Sequence, residues 1–213
     1  EMCIRDSTYS KEIESALSFL TENPEKFFEN KNVKYLTREQ EGNAAALTNT
    51  LEMYSPKFNK ILENIVNEDN RGCHLLYSNF RRLEGIGIFR ILLQYQGFRE
   101  LQVLKGPTGE YMITITNNVY SKETEFTEDS PIFALYTGTE NDEQREIIRN
   151  IYNSNWEQLS SSLRSQVETL FPELSTSNEE DGIARRNIYG EVIKLLMITS
   201  SGAEGIDLKN TKY

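Results

Sequence analysis

Histidine, cysteine and long apolar runs are almost missing from this chain. Its 213 residues hold one histidine, His74, and two cysteines, Cys3 and Cys73. A zinc site needs several thiolate or imidazole ligands, and a Ser-His-Asp triad needs a base held beside its nucleophile. One imidazole and no C-x-x-C pair therefore speak against both. Two cysteines make no disulfide framework. Cys73 stands in an apolar stretch, where a free thiol behaves as a small hydrophobe. That usage suits a reducing, intracellular compartment. No run approaches the ~20 apolar residues of a membrane span, and the first residues lack the apolar core of a secretory leader. Positive charge is also short. The formal net charge is -10, which argues against a protein that simply coats nucleic acid. The deficit is uneven: Arg71, Arg81, Arg82 and Arg90 face only Glu84 across residues 71–98, whereas Glu123, Glu125, Glu128 and Asp129 crowd residues 121–130.

What is present is a regular alternation of apolar runs and amphipathic stretches. Apolar positions at helical spacing predict a helix over 10–20 (Ile13, Ala16, Leu17, Leu20). Residues 1–7, E-M-C-I-R-D-S, resemble translated adapter sequence and are set aside as a non-native tail. Residues 8–53 read as a helical arm. Ser55 before Pro56 is a natural N-cap, and Phe58, Ile61, Leu62, Ile65 and Val66 give the next helix its stripe. The run G-C-H-L-L-Y (72–77) reads as a buried strand, followed by a helix from Leu83 to a stop at Gly97. Strands are expected at 100–104 and 111–116 around a K-G-P-T-G turn, and at 131–136. Helices are expected at 143–152 and 156–170, and an acidic exposed loop at 117–130. The K-G-P-T-G turn is no Walker A loop, because no Gly-Lys-Ser/Thr follows.

The last nineteen residues are the most informative. Leu195, Leu196, Met197 and Ile198 form a short run of the kind buried on both faces of a sheet. Thr199, Ser200, Ser201 and Gly202 follow where the strand must turn. In parallel α/β sheets that end is where ligands bind. Hydroxyls and backbone N–H groups there suit a phosphate. Gly205 and then Asp207 place a carboxylate a short step further on, where an acid can accept from a ribose hydroxyl.

The run T-S-S-G-A-E-G-I-D-L resembles motif V of superfamily 2 helicases and translocases, in their second RecA-like lobe. L-L-Y-S-N-F-R-R-L-E-G-I-G-I-F is similar to their motif IV. Thr137-Gly138, Arg145 and Tyr152-Asn153 match, in order, the family's segment between the two. The S-P-K-F helix start and the N-x-Y-G-E approach at 187–191 look most like the helicases of nucleocytoplasmic large DNA viruses. The resemblance covers residues 54–213 and implies an open parallel RecA-like sheet with helices on both faces, preceded by a helical arm and cut short at the C-terminus. It further implies nucleic-acid backbone contacts from Ser78, Asn79, Arg81, Gly138, Thr199 and Ser200, with RNA and DNA both open. Gly205 and Asp207 would face ATP, with Mg2+ held mainly by a first RecA-like lobe that is a separate partner. The chain lacks the Walker A and D-E-x-[DH] segments and the arginine-bearing motif VI, so the fragment alone is expected to hydrolyse no ATP, to carry no catalytic or metal-ligating residue, and to need no membrane. If viral, the parent would work in host cytoplasm or virion. Two other readings share the same sheet: half of a nucleotide-dependent small-molecule enzyme using 199–205 as its phosphate loop, and a non-catalytic interaction module.

Overall fold

The computed structural model describes residues 2–28, 30, 50–80, 85–116, 130–174, 187–203 and 205–213. They divide into two compact units, one carried by Glu1–Asn67, Ser78–Phe98 and Asn117–Ser130, the other by Glu68–Tyr77, Arg99–Thr116 and Pro131–Tyr213. Among the described residues no helix is long and apolar enough to cross a membrane.

The first unit is helical: α1 (Met2–Glu22), α2 (Thr50–Tyr54), α3 (Pro56–Val66) and α4 (Ile86–Tyr95). Helix α1 starts at Met2, so the stretch read as a tail has helical backbone. At α3 the Ser55 hydroxyl accepts the Phe58 N–H at 3.3 Å, with Pro56 in the first turn, which satisfies one orphan donor as the sequence predicts. Leu62 and Ile65 are buried, and Phe58 meets Phe89 edge-on at 5.2 Å. Helix α4 begins later than its apolar pattern suggests, because Gly85 has φ -151° and ψ -128°, outside the helical region. It ends as expected: Gly97 turns left-handed at φ 90°, and Phe98 N–H reaches back to Leu93 O at 3.0 Å. Residues 31–49 of the expected arm, and Leu83, lie outside the described residues.

The second unit holds the sheet. Its strands are β1 (His74–Tyr77), β2 (Arg99–Lys105), β3 (Tyr111–Thr116), β4 (Ile132–Tyr136) and β5 (Leu195–Ile198), in the order β1-β5-β4-β2-β3. The β1–β5, β5–β4 and β4–β2 pairs are parallel. This is the mostly parallel, helix-flanked sheet of the RecA-like α/β class. Two helices, α5 (Asp142–Tyr152) and α6 (Ser161–Leu170), carry the crossover from β4 to β5, the length a parallel connection requires. Ile147, Ile148, Ile151, Leu163 and Val167 from these helices pack with Leu101, Val103, Ala134, Leu196 and Ile198 in one core. On the other face of the sheet Phe133, Leu195 and Met197 are equally buried, so β5 is apolar throughout.

Two expectations are corrected here. The sheet is not wholly parallel: β3 runs antiparallel to β2. The G-P-T-G turn closes a hairpin, with Gly106 N–H on Glu110 O at 2.7 Å and Gly109 left-handed at φ 87°. An antiparallel edge on an otherwise parallel sheet is a common variant. The helix expected over 156–170 is two pieces, a 3-10 turn (Trp156–Gln158) and α6. Leu159 is extended at ψ 146°, and the Ser160 hydroxyl accepts the Leu163 N–H at 3.3 Å. A serine that can cap starts a new helix rather than continuing the old one.

The final residues return to the sheet. Thr211 bridges Cys73 in parallel, Leu75 N–H donates to Tyr213 O at 2.8 Å, and the Tyr213 ring stacks on His74 at 5.0 Å. They lie along the edge of β1 that β5 leaves open.

Candidate nucleic-acid interface

Register fixes the candidate edge. Ile198 is level with Tyr77 on one side and Tyr136 on the other. The chain therefore leaves β4 at Thr137-Gly138 and β5 at Thr199-Ser200 from the same, carboxyl edge of the sheet. Of these, Gly138 and Ser200 are exposed, whereas Thr199 is only 3% exposed. Ser200 opens the short helix α7 (Ser200–Ala203), and Gly202 N–H closes it onto Thr199 O at 2.9 Å.

The glycine at 202 is explained by its neighbour. A Cβ there would stand 2.4 Å from the Tyr136 carbonyl oxygen and 2.8 Å from its ring. The small residue lets the turn after β5 sit against the end of β4. Gly205 differs: its φ is 71° and a Cβ would meet nothing within 4 Å, so backbone conformation alone favours glycine there.

The turn after β4 carries a feature that sequence reading missed. The Glu140 carboxylate accepts the Thr137 N–H at 2.6 Å and the Thr137 hydroxyl at 2.9 Å through one oxygen. Its other oxygen accepts the Thr139 hydroxyl at 3.0 Å. One side-chain anion thus takes three donors of the T-G-T turn. Asn141 then caps α5 in a reciprocal box with Gln144, whose amide also donates to Val103 O at 2.6 Å. Arg145 pairs with Asp142 and lies 5.9 Å over the Tyr136 ring, which fastens the base of this turn.

Asp207 is exposed, and its carboxylate has no hydrogen-bond partner among the described residues. It does not cap the turn that follows. Its backbone is held instead by Asn153, which donates to Asp207 O at 2.7 Å and accepts Lys209 N–H at 2.8 Å. Asn210 adds a bond to Tyr152 O at 3.1 Å. The segment carrying the acid is therefore anchored while the acid itself faces solvent.

Behind β5, at the opposite end of the sheet, Asn187 is fully buried. Its amide donates to Tyr152 O and Ile193 O at 3.1 and 3.2 Å and accepts Val192 and Ile193 N–H at 3.0 and 3.1 Å. Its own carbonyl accepts the Cys73 thiol at 2.9 Å. Burial, with Glu191 adding to it, pushes that thiol up to about 12, so Cys73 is an inert thiol rather than a nucleophile. The N-x-Y-G-E string marks the place in sequence, but nothing in it distinguishes a four-bonded core amide from a loop asparagine.

Ser78 and Asn79 belong to the helical unit. The Ser78 hydroxyl bonds both the N–H and the carbonyl of Phe80 at 3.1 Å, and Asn79 is exposed. A Cβ at Gly85 would stand 1.8 Å from Phe80 O, so this turn too depends on a missing side chain. Arg81, Arg82 and Glu204 lie outside the described residues. Among those described, no three His, Cys, Asp or Glu side chains group as a metal would need.

No protein-family model matches the chain, and no solved structure matches it. Among curated proteins it is 30% identical over 172 residues to the "Termination factor NPH-I homolog" of the Malawi tick isolate of African swine fever virus. It is 29% identical over 173 residues to the homolog of the Kenya pig isolate. Each match covers 74% of this chain and 20% of the relative, so the chain spans a fifth of the length of the curated relatives it matches.

Proposed function

We propose that residues 54–213 are part of the second RecA-like lobe of an ATP-dependent nucleic-acid motor of superfamily 2, akin to the viral proteins named as termination factors. One observation carries this reading: the T-G turn after β4 and the T-S turn after β5 leave the parallel sheet at one register, as a backbone-tracking edge requires. Phosphate contacts position a nucleic acid without reading its sequence. Ser200 offers an exposed hydroxyl. Gly138 is exposed and is not among the left-handed glycines, so its missing side chain serves access rather than conformation. Thr199, being buried, contributes through its backbone and by seating Ser200. Ser78, Asn79 and Arg81 are assigned to backbone contact on the family resemblance alone.

The nucleotide end fits in part. The anchored segment 207–209 presents an unpartnered carboxylate at Asp207, suited to a ribose hydroxyl, and the space at Gly205 is open. When bound, ATP would supply the free energy of γ-phosphate transfer. This chain's part is to hold the sugar and to leave room beside it. Mg2+ is assigned mainly to the other lobe on the family resemblance alone.

The test is fluorescence anisotropy of labelled single-stranded oligonucleotides with the purified chain. Weak binding, indifferent to base sequence and with a shallow salt slope, is expected. The Gly138→Val, Ser200→Ala double variant should weaken it. Glu140→Gln, which removes a negative charge from the T-G-T turn and one acceptor oxygen from its donors, should strengthen it at low salt. A double variant that binds as wild type does would refute the assignment of this edge.

A further inference from the structure

Among the described residues the outer edge of β3 is the other open border of the sheet, and it is unusually plain. Tyr111–Thr116, Y-M-I-T-I-T, holds no charge and no proline, the devices by which exposed edges usually resist pairing with another strand. One side chain stands in their place. Gln166 of α6 accepts the Ile113 N–H through Oε1 at 2.8 Å and donates from Nε2 to Tyr111 O at 3.4 Å. A single primary amide thus fills, on one donor and one acceptor, the positions that a neighbouring peptide group would take. Since backbone groups alternate along a strand, these bonds also show that Tyr111, Ile113 and Ile115 present their N–H and C=O groups away from β2.

We propose that this edge is a strand-pairing surface for a second copy of the chain, held shut by the Gln166 amide. The strand is complementary to itself. Laid antiparallel about Ile113, Tyr111 meets Ile115 of the other copy and Met112 meets Thr114. Apolar and hydroxyl residues then face one another, and no like charges do. Ile113 of each copy would exchange both backbone bonds with the other, and the Tyr111–Ile115 pairs would add to them. Met112 is 46% exposed and Leu104, its partner on β2, 44%. Met112 gains cover when a strand is added. Beside the edge lies a cavity of about 420 Å³ lined by Ile113, Ser162, Ser165, Gln166, Thr169 and Leu170. It gives the displaced amide somewhere to go. A hairpin edge buries too little by itself for a tight dimer. Two local hydrogen bonds in each copy are thus enough to decide between the closed and paired states.

The experiment compares wild type with Gln166→Met, which keeps the length and removes both bonds, by sedimentation equilibrium over a concentration series. Wild type should be the more monomeric. The variant should self-associate roughly a hundred-fold more strongly, the value of two modest hydrogen bonds released in each of two copies. Gln166→Glu, which keeps the acceptor for Ile113 N–H but loses the donor to Tyr111 O, should fall between the two. Adding Ile115→Pro to Gln166→Met removes an outward N–H and should restore the monomer. Amide exchange gives a second reading that needs no proline: Ile115 N–H should become protected with concentration in Gln166→Met and not in wild type. A folded Gln166→Met that remains monomeric, a wild type that associates as strongly as the variant, or a dimer whose Ile115 amide stays unprotected would overturn the proposal.

Discussion

Replacing Asn187 by alanine should unfasten the approach to β5 and cost the sheet unit much of its stability. The amide of Asn187 meets four backbone groups: Tyr152 O, Ile193 O, Val192 N–H and Ile193 N–H. Tyr152, Val192 and Ile193 are all 0% exposed, so water does not simply replace the lost partner. A buried polar group left unpaired costs about 1–3 kcal/mol. Some of the four will find new partners as the loop relaxes, which leaves roughly 3–6 kcal/mol for the whole substitution. Domains are typically stable by only about 5–15 kcal/mol. In a chain of this size each kcal/mol moves the melting temperature by roughly 2–4 °C, so a fall on the order of 10 °C or more is expected. Thermal melts followed by circular dichroism measure this, and exchange of the Val192 and Ile193 amides locates it. Asn187→Asp separates the two halves of the network. It keeps the acceptor for both N–H groups but turns a carboxylate oxygen toward two carbonyls. That repulsion, together with burial, raises the carboxyl's folded pKa above its unfolded value, so acid should stabilise Asn187→Asp where it does not help Asn187→Ala. Wild-type melting and wild-type amide exchange in Asn187→Ala would show that the four bonds carry no net stability, and the reasoning would fail.

Gly202→Ala should cost about 1–3 kcal/mol, since its Cβ would press on the Tyr136 carbonyl and force the two turns apart. Gly205→Ala, strained only in φ, should cost about 1–2 kcal/mol; urea titrations in which Gly205→Ala proves clearly the more damaging would contradict the steric account. His74 should give the fold a measurable acid sensitivity. Burial lowers its pKa below the ordinary 6.5, the bond from its ring N–H to Asn70 O opposes this, and Lys194 adds to the lowering. The unfolded chain therefore takes the proton first. Stability is fully present above about pH 6.5 and falls as pH drops below it, until the folded imidazole also titrates. Denaturation at a series of pH values should show this slope in wild type and a flatter one in His74→Gln; equal slopes would remove His74 from the account.

The elements and their chemistry are legible from the chain alone. The period of Phe58, Leu62 and Ile65, the Ser55-Pro56 start and the Gly97 stop are local signals, read within one or two helical turns. The apolar run of β5 announced burial on both faces because each of its four residues must leave water. The T-S-S-G and T-G turns were legible for the same reason: a small residue after a strand is visible without knowing what lies beside it. Whatever depends on residues far apart in the chain emerges only on folding. Strand order put β5 between β1 and β4, and only that placement made Thr137 and Thr199 neighbours on one edge. It gave Gly202 its reason in Tyr136, sixty-six positions earlier. It set β3 at the border of the sheet; that β3 runs antiparallel to β2 was already implied by a turn too short for a parallel crossover. It also chose among chemically equal side chains: Asn153, Asn187 and Gln166 look like any other polar residues in sequence. What sets them apart is the backbone each one meets, and a hydrogen bond to a distant backbone group leaves no periodic trace in the chain that makes it.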